Sequence, residues 1–156
     1  MTATQVDPWA PLRPLVGSWT GVGSGFGSTS DVRHDWSFVL DDRFLELRTR
    51  SVVRKESGPG EAHEDFGVIS RNTDTGSFVF RQFLSEGYVN TYDIVIDPET
   101  PRSILFAHRE AESAGDVRAQ LRLRFVSGDE YEMALDLAFP GKDFAACQEM
   151  IMGRAP

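Results

Sequence analysis

VGSWTGVGSGFG, running from Val16 to Gly27, places five glycines around one tryptophan, Trp19, and its reading decides the fold. A dinucleotide-binding loop needs G-x-G-x-x-G between a strand and a helix. Counted from Gly21 the third glycine falls on Phe26, and counted from Gly23 it falls on Ser28, so both registers fail. A phosphate loop ends in lysine followed by Ser or Thr, and the first lysine of the chain is Lys55. The glycines recur with period two, which puts Gly21, Gly23, Gly25 and Gly27 on one face of a strand, with Gly17 and Trp19. Such a row signals either strong bending or the close approach of another group to that face.

The rest of the chain repeats the strand pattern. About ten alternating segments are predicted, at roughly 17–26, 31–40, 42–54, 62–71, 76–84, 87–96, 102–110, 116–127, 130–138 and 144–153. Turn clusters such as LDDR, ESGPGE, NTDTG, DPETP and FPGKD separate them. No window of twelve residues keeps a helical apolar period, so there is no room for the crossover helices of a parallel sheet. The expected fold is all-β, an antiparallel up-and-down β-barrel of about ten strands. It forms a single domain over 1–156, with a proline-marked lead-in at 1–15 holding a short helical turn and the barrel at 16–154.

Composition excludes several classes. A formal charge of −8 opposes nucleic-acid binding, which needs clustered cations. Arg118, Arg122 and Arg124 alternate with apolar residues, as on a solvated strand face. The longest apolar runs, YDIVI and SILFA, are too short to span a bilayer as helices. The N-terminus lacks the pattern of a secretory signal, so a cytoplasmic location is expected. Cys147 is the only cysteine, which leaves no internal disulfide and no cysteine-based zinc site. No metal is expected: the carboxylates Glu61, Glu64 and Asp65 around His63 alternate between faces, and His63 is expected in solvent.

GSW at Gly17–Trp19, with Arg154 at the end of the last strand, resembles the calycin superfamily of lipocalins and fatty-acid-binding proteins. The resemblance implies that Arg154 packs across Trp19 and closes one end of the barrel. Leu15, Gly17, Trp19, Gly21, Gly23 and Gly25 also resemble the L-x-G-x-W-x-G-x-G-x-G opening of nitrobindin-like bacterial barrels. Nitrobindins hold haem through a histidine near the C-terminal end. Here AFPGKDFAACQEMIMGRAP, residues 138–156, contains none, so no cofactor is expected and Met150 and Met152 are read as core.

Strand alternation then selects inward faces. Val32, His34, Trp36, Phe38 and Leu40 form the apolar phase of the second strand, and Tyr88, Asn90, Tyr92, Ile94 and Ile96 that of the sixth. Ile104, Phe106 and His108 follow on the seventh. Tyr131, Met133 and Leu135 face Leu123 and Phe125, while Phe144, Ala146, Gln148, Met150 and Met152 share a face on the last strand. On the third, fourth and fifth strands the pattern does not choose a face. The candidate ligand-binding residues are His34, Trp36, Asn90, Tyr92, Phe106, His108, Tyr131, Met133 and Gln148, with no catalytic residue assigned. This mixture suits an apolar or aromatic small molecule held by a few hydrogen bonds, in a carrier or sensor. The alternative is an isomerase, cyclase or dehydratase, with His34 or His108 as acid or base and Tyr92 or Tyr131 as proton donor. A haem protein is the third reading. The expected partners are an apolar small molecule and, at most, a second copy of the chain in a homodimer.

Overall fold

The computed structural model describes residues 3–156. Ten strands follow in order: β1 (Gly17–Gly25), β2 (Ser28–Val39), β3 (Phe44–Lys55), β4 (Gly58–Arg71), β5 (Phe78–Leu84), β6 (Val89–Val95), β7 (Ser103–Glu112), β8 (Arg118–Ser127), β9 (Glu130–Ala138) and β10 (Ala145–Arg154). Each pairs antiparallel with the next, and β10 returns to β1 with Trp19 opposite Arg154. The meander thus closes into a barrel, which leaves no open sheet edge. Outside, β8 and β9 carry the ion pairs that their alternation implies: Arg124 bonds Glu132 at 2.7 Å and Arg122 bonds Asp136 at 2.7 Å.

In the inward glycine row of β1, the backbone of β10 lies too close for a side chain at Gly21 and Gly25. A Cβ on Gly21 would stand 1.8 Å from the Ile151 carbonyl oxygen. The group that approaches this face is mainly the neighbouring strand, so the row serves the coiling of β1 onto β10. Gly67 of β4 is bare for a different reason: the Phe80 ring lies against it, 2.1 Å from where a Cβ would be.

One end of the barrel is sealed. The lead-in runs beneath it through a 3-10 turn at Arg13–Leu15, burying Trp9, Leu12 and Leu15. Trp9 meets Phe38 and Phe78 at ring separations of 5.3 and 5.1 Å. Trp19 donates its indole N–H to the Leu15 carbonyl at 2.8 Å, and the Arg154 guanidinium lies 4.2 Å above the indole ring. That guanidinium also donates to the carbonyls of Val16, Pro14 and Gly128 at 2.9–3.0 Å. One cation thereby ties the lead-in, β1 and the β8–β9 turn together.

Two local irregularities alter faces expected from simple alternation. A bulge between Ala146 and Gln148 shifts the register of β10. Ala146 therefore stands opposite Asp136 on the outside, and Phe144 meets the exposed Arg118 guanidinium at 5.0 Å. Leu40 lies past the end of β2 in a turn with φ +52°, exposed rather than inward.

Candidate functional site

Side-chain size along the barrel axis determines where space remains. In the lower part, Trp19, Trp36, Phe80, Phe106 and Tyr131 are fully buried and touch one another, with Trp19–Tyr131 at 4.6 Å and Phe80–Phe106 at 5.4 Å. Above this aromatic floor the inward residues shrink to Ser28, Ser30, Ser51, Ala114 and Ala119, and a cavity of about 540 Å³ opens. Its volume is within the range of small-molecule pockets, roughly 300–1,000 Å³. The mouth lies among the β1–β2, β5–β6, β7–β8 and β9–β10 turns, where Phe26, Tyr88 and Phe139 form an exposed apolar rim. Phe26 is 67 % exposed and holds φ +52° beside Gly27 at +74°, a two-residue turn whose first position normally favours Asn or Gly.

The nine candidate residues separate by height. His34, Asn90, Tyr92, Met133 and Gln148 line the cavity. Trp36, Phe106 and Tyr131 do not, because they are packed into the floor beneath it. His108 is also off the cavity wall. The β7–β8 ladder stops at Phe106–Leu121, and His108 lies beyond that point, where its Nδ1 accepts from the Ala119 backbone N–H at 3.4 Å. It substitutes for a missing ladder bond in a seam between two strands.

The cavity has two unlike walls. β8, β9 and β10 present Leu121, Met133, Leu135, Leu137 and Met150. β3 to β6 present Thr49, Ser51, His63, Asp65, Gln82, Asn90 and Tyr92, interspersed with Leu47, Val53 and Leu84. On this polar side Tyr92 donates its hydroxyl to Gln82 Oε1 at 3.1 Å, and Gln82 donates its amide to Asp65 Oδ1 at 3.1 Å. His63 Nε2 stands 3.6 Å from Asp65 Oδ2, and His63 Nδ1 lies 2.6 Å from Glu86 at the mouth. His63 and Asp65 were not among the candidates; as residues two apart on β4 they share the inward face, while Glu64 points out. His63 is half-buried at the mouth, not free in solvent.

Charge states follow from these surroundings. Burial raises the Asp65 carboxyl, but donors from His63, Thr49 and Gln82 outweigh it and hold the group below the ordinary carboxylate value. Asp65 and then Glu86 raise His63 above its ordinary value against the effect of burial. Burial pushes His34 down to about 4, so its ring is neutral at neutral pH. Burial likewise raises Tyr92 and Tyr131, which stay protonated.

His34 has a defined tautomer. Trp36 donates its indole N–H to the Tyr131 oxygen at 3.3 Å, and the arrangement that satisfies all three groups directs the Tyr131 proton to His34 Nδ1, 2.6 Å away. The His34 proton therefore sits on Nε2. Among the described residues Thr91 Oγ1 is the one sealed polar atom lacking a partner. His34 lines the cavity and is bonded among the described residues through Nδ1, so its Nε2–H is presented to the cavity.

These features define a class: a ten-stranded antiparallel barrel, sealed at one end, with an open small-molecule-sized cavity at the other. Rv2717c from M. tuberculosis has a similar solved structure, at 15 % identity over 97 % of this chain and 99 % of that one, with a TM-score of 0.68. A redesigned β-barrel, mFAP1, solved bound to DFHBI, is a more distant match at 13 % identity, covering 91 % and 96 % of the two chains with a TM-score of 0.46. No protein-family model matches the sequence, and no curated protein matches it either. No helix among the described residues is long and apolar enough to cross a membrane.

Proposed function

We propose that this protein binds a small, largely apolar molecule inside the barrel, as a cytoplasmic carrier or sensor. The observation that carries this reading is the abrupt change from a filled aromatic floor to a cavity of about 540 Å³ with one mainly apolar wall and one that carries most of the polar groups. A ligand body rests on the β8–β10 side. An acceptor atom on the ligand meets the His34 Nε2–H, and Asn90, Tyr92 and Gln148 fix its orientation.

An acid–base enzyme is the weaker reading, because its groups are engaged elsewhere. His34 is a poor base with Nδ1 already bonded, Tyr131 lies under the floor, and His108 sits in the β7–β8 seam. Haem held by a histidine near the C-terminal end, as the nitrobindin resemblance implies, does not fit the residues present. β10 turns Gln148 and Met150 to the cavity, and both nitrogens of His63 face carboxylates. No lysine or arginine lines the cavity to receive propionates.

The test is uptake of an environment-sensitive apolar dye by the purified chain, beside a Met133→Trp variant that fills the cavity from β9. Dye fluorescence should rise with wild type and be lost in the folded variant. Equal uptake by both places the dye outside the barrel and defeats the proposal.

A further inference from the structure

The charges around the cavity are one-sided. None of the 16 lysines and arginines lines it, whereas Asp65 and Glu86 do. Asp65 is the unusual member: its side chain is 10 % exposed, inside the polar wall, yet it is held as a carboxylate. An ionised group so placed is costly unless it is paired. Gln82 occupies Oδ1, but Oδ2 stands 3.6 Å from His63 Nε2, beyond good hydrogen-bond length. Thr49 also donates to this carboxylate; with about four acceptor sites on the group, these partners leave one for a donor from the cavity. His63, the one cationic side chain on the cavity wall beside Asp65 and Glu86, is matched against two carboxylates, so the cluster inside the cavity stays net negative even with its imidazole protonated.

We infer that the cavity selects amphiphiles with a protonated amine head, which donates to Asp65 while the apolar body lies on the β8–β10 wall. This preference rests on the binding role proposed above. It sets the protein apart from barrels built for carboxylates, which need a cation inside. Carboxylate ligands meet Asp65 and Glu86 with no arginine or lysine to offset them.

Three probes sharing one body separate the possibilities: naphthylmethylamine, naphthylmethanol and naphthoate, titrated calorimetrically into the full chain near neutral pH and at low salt. The amine should bind at least about ten-fold more tightly than the naphthoate, with the alcohol between. Asp65→Asn should reduce the amine-to-alcohol affinity ratio to about one. Glu86→Gln, at the half-exposed mouth, should lower the same ratio by about three-fold, and it carries the readout if the Asp65 variant does not fold. Naphthoate binding as tightly as the amine overturns the head-group assignment and leaves the binding role standing. An amine preference that survives both substitutions also overturns it. Failure of all three probes, the alcohol included, overturns the binding role together with the assignment.

Discussion

Acidification should destabilise this barrel well above the pH at which its carboxylates protonate, and His34 is the reason. In the unfolded chain the imidazole titrates near its ordinary 6.5; in the barrel burial lowers it to about 4. Below 6.5 the unfolded state therefore binds a proton that the folded state refuses, and stability falls as pH falls between those two values. With each ten-fold difference in proton affinity being about 1.4 kcal/mol, the full loss is about 3 kcal/mol. His63 has the opposite sign. Its folded value is raised, so its contribution is complete below 6.5 and is lost only as pH rises through the folded value. Asp65 and Asp136 are held below the ordinary carboxylate value, so their contributions fade only at still lower pH. The interval between about 6.5 and about 4 therefore belongs to His34. Urea unfolding followed by tryptophan fluorescence across that interval measures the loss, and the His34 Hε1 resonance reports the ring directly. A flat urea midpoint, or a His34 resonance titrating near 6.5, refutes the buried neutral imidazole and with it the Nε2–H donor.

Other regions of the barrel give equally definite expectations. Arg154→Ala removes three bonds to carbonyls and the contact over Trp19, and should lower stability by about 3 kcal/mol in chemical denaturation. A loss under about 0.5 kcal/mol shows that the lead-in holds the closed end without it. Phe26→Asn relieves a positive φ and should stabilise the β1–β2 turn by about 1 kcal/mol, while slowing dye entry by removing the rim aromatic. Unchanged entry kinetics place the route elsewhere. His108→Ala frees the Ala119 amide, whose hydrogen exchange should accelerate at least about ten-fold while amides in the paired part of β8 keep their protection. Uniform protection across β8 would show that the seam needs no latch.

How much of this was legible in the sequence depends on the wall. On β8 and β9 large apolar residues alternate with charged ones, and the inward face is unambiguous from Leu121, Leu123, Tyr131 and Met133. On β3, β4 and β5 both faces carry polar residues. Thr49, His63, Asp65 and Gln82 point in, while Arg50, Glu64 and Arg81 point out, so hydrophobicity chooses neither. The spacing of His63 and Asp65, two apart, was the available signal for a shared face. Alternation is also blind to height. Trp36, Phe106 and Tyr131 face inward, yet they fill the floor and leave the cavity to residues nearer the open turns. The bulge in β10 reverses Ala146 through one extra residue, which no period-two pattern reveals.

Height along the barrel is what joins fold to function here. Filling the interior near the lead-in with Trp19, Trp36 and Tyr131 builds a stable base whose polar tips bond one another or the backbone. That base also sets the chemistry above it: the Trp36–Tyr131 bond fixes the His34 proton on Nε2, so a structural aromatic cluster decides which hydrogen-bonding group the cavity presents at its lower end. At the upper end Asp65 presents an acceptor. A ligand that satisfies both must carry an acceptor deep inside and a donor nearer the mouth, with apolar surface along one side. The polarity of the cavity along its axis is therefore a stricter specification of the ligand than its volume.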